Sequence, residues 1–265
     1  MKVYEICDSL EKIAPLKRQE DWDNCGLLIG EIGNDVTGIL ICLDVDMKVL
    51  QHASGSGYNF VVSHHPLIFK GIKKIAGEDM VQKMVAYAIK ERISIYSMHT
   101  NYDFADYAMN DHIAKLLGLQ DVGGYAPDHE RGFKIGRKGI FPSGIELREL
   151  VLQTGRKLGL ENISYTGDDE SMVYNVLIST GAFDVSLIDP SHGDVDVVIS
   201  GDIKYHAAKE LLDRGISIID AGHFGTEIVF SELLQKQLRN IHPDVRIDVV
   251  DFEKNIFKSI NEQTR

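Results

Sequence analysis

The chain is poor in cysteine, with three in 265 residues: Cys7, Cys25 and Cys42. None forms a CxxC pair, so a disulfide scaffold is excluded and free buried thiols in a reducing compartment are expected. No apolar run approaches the roughly 20 residues that span a bilayer. The opening residues, Met1-Lys2-Val3-Tyr4-Glu5-Ile6, carry no leader-like apolar block. A cytoplasmic protein with no membrane partner is expected. An excess of positive charge is also lacking, since 40 acidic residues against 28 basic ones leave a formal net charge of -12. That balance argues against nucleic acid as a partner, because phosphates are held by clustered Lys and Arg. Low-complexity tracts are absent, and so is a GxxxxGK[ST] loop, which excludes P-loop chemistry.

What is present is an ordinary globular mixture, 44% hydrophobic and 26% charged. The length suits one large α/β unit or two modest lobes. Apolar spacing predicts helices over 3–13, 46–54, 79–91, 108–117, 144–158, 204–214 and 226–239. Continuous apolar runs predict strands at 26–30, 37–44, 60–63, 93–96, 173–179, 195–200 and 216–219, with an exposed strand near 132–137. Alternating α and β with near-continuous apolar strands indicates mixed sheets covered by helices. Strand 60–63, helix and strand 93–96 parallel strand 195–200, helix and strand 216–219. An internal duplication into two similar α/β lobes, 1–125 and 126–265, is therefore expected.

The two halves also end alike. Strand 93–96 runs into His99 and Asp103, and strand 216–219 runs into His223 and Glu227. Strand 60–63 ends in Ser63-His64-His65-Pro66. Loops just past strand carboxyl ends are where open α/β sheets place ligands, and imidazole with carboxylate is a usual donor set for divalent metals. His64, His65, Asp103, His223 and Glu227 are the expected metal ligands. Side chains alternate along an extended backbone, so His64 and His65 are expected to point apart, each to a different ion of a close pair. Asp103 and Glu227 suit the bridging of such a pair. Glu227 is expected in the first turn of a helix starting near Thr226, with His223 just before it. His52, His112, His129, His192 and His242 are expected to be surface or hydrogen-bonded residues. Asp202 suits a helix cap, Asp44 an orienting partner, and Trp22-Asp23-Asn24 either a pocket rim or a packed turn.

Trp22-Asp23-Asn24-Cys25-Gly26-Leu27, Ser63-His64-His65-Pro66-Leu67-Ile68-Phe69, His99-Thr100-Asn101-Tyr102-Asp103, Gly201-Asp202 with Tyr205-His206, and Gly222-His223 with Thr226-Glu227 together resemble the NIF-three-like family. Its members are often labelled GTP cyclohydrolase I type 2 homologs, and the resemblance covers nearly the whole chain. It implies a two-lobed α/β fold with a dinuclear metal centre between the lobes and a ring-like homohexamer. The family's ligands map onto His64, His65, Asp103, His223 and Glu227, and His99 and His206 map onto positions close to the site. The length leaves no room for the extra domain of longer members. The implied activity is metal-dependent hydrolysis of a small-molecule substrate, with two divalent ions of Zn, Mn, Fe, Co or Ni per subunit. If the label applies, GTP is opened at its imidazole ring, giving formate on the way to dihydroneopterin triphosphate. In this chemistry His99 or His206 carries protons. The alternative is a metal-binding regulatory or interaction protein without turnover.

Overall fold

Residues 39–42, 60–63 and 94–97, apolar but for Ser63, Ser94 and Ser97, become three neighbouring parallel strands with every residue buried. A computed structural model describes residues 1–125, 136–189 and 194–258. The chain divides into two units, one of residues 1–106 with 229–253 and one of 107–228 with 254–265.

The first unit opens with α1 (Val3–Ile13), whose Val3, Ile6 and Leu10 are buried at the spacing of one helical face. A single 3₁₀ turn, Leu16–Arg18, leads to β1 (Gly26–Ile29) and β2 (Ile39–Cys42). Next come α2 (Met47–Ser56), β3 (Phe60–Ser63), α3 (Met80–Lys90), β4 (Ser94–Ser97) and the one-turn α4 (Thr100–Asp103). Asp46 caps α2 by accepting from the Val49 N–H at 2.7 Å, and Asp79 caps α3 by accepting from the Gln82 N–H at 2.8 Å.

The second unit holds α5 (Met109–Leu117), β5 (Gln120–Gly124), β6 (Arg137–Glu146), α6 (Leu147–Leu158), β7 (Ser164–Thr166) and β8 (Met172–Ala182). It continues through β9 (Val197–Gly201), α7 (Tyr205–Asp213), β10 (Ser217–Asp220) and α8 (His223–Glu227). The chain then returns to the first unit as α9 (Val229–Ile241) and β11 (Ile247–Val249).

The first sheet has the order β1-β4-β3-β2-β11, all parallel except β1, which runs antiparallel to β4. The second has the order β5-β6-β8-β9-β10-β7, with β8, β9 and β10 parallel at its centre. Both sheets are mixed, in agreement with the α/β reading.

An even division at residue 125 is not the boundary the contacts draw. β11 adds in parallel beside β2, so the end of the chain belongs with the first unit. β5 pairs with β6, so α5 and β5 belong with the second. The expected strand near 132–137 appears only as the start of β6 at Arg137, and residues 132–135 lie outside the described residues, as do His129 and His192. His242 hydrogen-bonds Ser9, Nε2 to Oγ 2.8 Å. No helix among the described residues is long and apolar enough to cross a membrane.

Candidate metal centre

The strand directions of the first unit decide where its histidines fall. β2, β3 and β4 are parallel, so Asp44, His64-His65 and His99 all follow the same end of the sheet. β1 runs the other way, with Gly26 opposite Ser97, and that reversal brings Trp22-Asp23-Asn24 to this end too. One ring nitrogen from each of His64, His65 and His99 lies within 4.8 Å of the others. His64 and His65 do not point apart. The chain bends at both residues once β3 has ended, so strand alternation no longer applies, and their ring centroids are 5.0 Å apart.

Each imidazole of this group is oriented through Nδ1. His64 is fully buried, and its Nδ1 lies 2.8 Å from the Met98 carbonyl oxygen. A carbonyl only accepts, so Nδ1 carries the hydrogen and Nε2 the lone pair. The Nδ1 of His65 meets Asp44 Oδ1 at 2.9 Å, and that of His99 meets Asp23 Oδ1 at 2.8 Å. Such outer carboxylates and carbonyls fix the tautomer that presents Nε2 to a metal. Asp103 ends α4 with Oδ1 3.8 Å from His64 Nε2. The His64 ring also packs on Phe230 of α9, centroids 5.0 Å apart, and Phe230 packs on Tyr102 at 5.1 Å.

Asp23 is held from several sides. Its carboxylate accepts from the Thr100 N–H at 3.0 Å, from the Thr100 hydroxyl, and from Cys25 Sγ at 3.1 Å. Burial alone would raise its pKa, but the hydrogen bond and charge of His99, with those other donors, hold it well below the usual carboxylate range. Burial and the neighbouring Asp23 push the Cys25 thiol up to about 12.

In the second unit the central parallel strands again end together. Gly222 stands at φ +76 and starts α8, and His223 is the first residue of that helix. Glu227 is its last residue, one turn along the same face, with Oε2 3.0 Å from His223 Nε2. The expected helix start near Thr226 is corrected: α8 begins at His223, three residues earlier. His223 Nδ1 lies 2.8 Å from Asp202 Oδ2, and Asp202 adopts a left-handed φ of +50 just past β9. With Nδ1–H committed there, the Nε2 lone pair faces the carboxylate of Glu227. A proton on Nε2, or a cation held by both groups, relieves that opposition.

Two glycines make room for this pair. Gly181, at φ +75 in an irregular stretch of β8, has no side chain because a Cβ there would lie 2.3 Å from Glu227 Oε1. A Cβ on Gly201 would lie 2.4 Å from the backbone nitrogen of His223. His206 is exposed on α7 with its ring against Tyr205, centroids 5.4 Å apart. Sequence reasoning missed Gly181, Phe230 and the Met98 carbonyl.

The pattern of the Duf34/NIF3 family (NGG1p interacting factor 3) matches residues 1–256. The chain belongs to this family. A Campylobacter jejuni relative named GTP cyclohydrolase 1 type 2 homolog is 33% identical over 262 residues, covering 97% of this chain and 99% of that protein. A Clostridium acetobutylicum protein of the same name is 30% identical over 248 residues, covering 91% and 92%. Among solved structures, a Staphylococcus aureus hypothetical protein superposes with a TM-score of 0.88 at 25% identity, covering 98% of this chain and 99% of that one. Membership in the Duf34/NIF3 family agrees with the resemblance read from the motifs, and the histidine cluster of this member is a group that can hold a metal ion.

Proposed function

We propose that the protein is a metal-dependent hydrolase with two divalent ions held by His64, His65, Asp103, His223 and Glu227. The observation that carries the reading is that the three proposed ligand imidazoles, of His64, His65 and His223, all have Nδ1 tied to an oxygen, which leaves Nε2 as the ligand nitrogen. Two carboxylates, those of Asp103 and Glu227, complete a donor set suited to Zn, Mn, Fe, Co or Ni. When bound, such ions supply acidified water and polarise the electrophile. His99 takes or gives a proton at Nε2, while Asp23 holds its Nδ1–H and keeps the ring aligned. His206 is the second candidate for proton carriage.

The relatives' printed names point to GTP as a first substrate to test, with formate and dihydroneopterin triphosphate as the products to look for. A cytoplasmic homohexamer belongs to the same reading. The test begins with elemental analysis of protein loaded with each ion in turn, followed by turnover assays on GTP, other nucleotides, phosphoesters and peptides. Two ions per chain, lost along with turnover in Asp103→Ala, are expected. No retained metal would sink the proposal, and tight metal without any turnover would leave a metal-holding regulatory protein instead. A His206→Ala variant with normal metal content and undiminished turnover would remove that residue from the proton path.

A further inference from the structure

The largest exposed ring in the first unit lies beside the histidine cluster. Trp22, the chain's only tryptophan, is 59% exposed, and Phe69 is 47% exposed. Their ring centroids are 5.8 Å apart. Both lie against one imidazole: the His99 centroid is 6.0 Å from that of Trp22 and 6.3 Å from that of Phe69, with interplanar angles of 72° and 75°. Large aromatics left this open are normally covered or used.

The pair is not an incidental product of a loose loop. The Cys25 N–H donates to Gln19 Oε1 at 2.9 Å, the Glu20 N–H to Thr100 Oγ1 at 3.0 Å, and Asp23 is bonded to His99 and Thr100. Asn24 Nδ2 donates to the Ile68 carbonyl at 2.6 Å, which pins the segment carrying Phe69 to the segment carrying Trp22. Three successive residues thus divide the work: Trp22 presents a π face, Asp23 aligns His99, and Asn24 fixes Phe69.

We infer that Trp22 and Phe69 form a stacking platform for a planar heteroaromatic ring of the substrate, such as a purine base, next to His99. The inference rests on the reading of His99 as part of the reacting site. An aromatic face selects a flat ring over a sugar or an aliphatic chain, because every base has a π face to offer and a saturated group has none. It discriminates poorly among bases, so choice within that class comes from groups other than these two.

The single tryptophan makes the test direct. Metal-loaded full-length protein is titrated with guanosine, GTP and, as a ring-free control, ribose 5-phosphate, while tryptophan fluorescence is followed. Saturable quenching by guanosine and GTP but not by ribose 5-phosphate is expected. By calorimetry, Trp22→Ala and Phe69→Ala should each weaken GTP binding about ten- to a hundredfold, the range that stacking of one base supplies. Trp22→Phe should restore most of the loss. Absence of quenching by either ring compound, or unchanged GTP affinity in Trp22→Ala and Phe69→Ala, overturns the inference. So does a drop in oligomer mass by light scattering in these variants with ring binding intact, because the pair would then be a subunit contact. Ring binding is read here without turnover, so a failed hydrolase assay and a failed platform are separate results.

Discussion

Replacing Gly181 by alanine tests whether the second unit is shaped around Glu227. The substitution has two effects that can be separated. An L-residue at φ +75 costs about 1–2 kcal/mol for the left-handed backbone. At roughly 2–4 °C per kcal/mol for a protein of this size, that lowers Tm by about 2–8 °C. The added methyl would also sit 2.3 Å from Glu227 Oε1 and 3.8 Å from His223 Nε2, so the carboxylate must move. Gly159, the C-cap of α6, supplies the control: it stands at φ +66, and a Cβ there meets nothing within 4 Å. Gly159→Ala should show the fall in Tm alone. Gly181→Ala should show a similar or larger fall together with metal affinity reduced about ten- to a hundredfold, as when a ligand's support is disturbed. Calorimetric melts and metal titrations on both variants check this. Equal metal affinity in the two would refute the argument that Gly181 exists to seat Glu227.

Asp44 is largely exposed and orients His65 through Nδ1, so Asp44→Ala should reduce metal affinity about tenfold or more with little change in Tm. Phe230 is fully buried against His64 and Tyr102, and Phe230→Ala should cost about 3–5 kcal/mol in denaturant unfolding while loosening His64 and weakening metal binding. Burial, reinforced by Glu11 and Asp8, pushes the Cys7 thiol up to about 11, and burial raises Cys42 well above its ordinary value. Iodoacetamide at pH 8 should therefore alkylate the native thiols about a hundredfold more slowly than those of urea-unfolded protein. Because these folded-state values are raised, their stabilising contribution is fully present below pH 9 and fades as pH climbs through about 11. Unfolding curves between pH 8 and 11 would show it.

Most helices and all the central strands were legible, because short runs such as Phe60-Val61-Val62 are apolar and lie between polar residues, here Asn59 and Ser63. The edges were not. β5 reads Gln-Asp-Val-Gly-Gly and is exposed along its length, and β7 and β11 have three residues each, too few for any period to register. The histidines at strand ends announced themselves by residue type and position. Their partners Met98 and Gly181 could not, since a carbonyl belongs to every residue and a glycine's purpose depends on what approaches it. The turn geometry after β3 and β10 was likewise invisible, and so the directions of His64 and His65 and the start of α8 came out differently.

The return of α9 and β11 to the first unit bears on the order in which the protein can assemble during synthesis. Residues 107–228 emerge from the ribosome as one uninterrupted stretch and can collapse as soon as they are made. The unit translated before them has to wait, its sheet lacking an outer strand and its buried His64 lacking the Phe230 ring, until more than a hundred further residues have been added. A nascent chain halted shortly after residue 228 should accordingly resist protease in its later half while its earlier half is still digested.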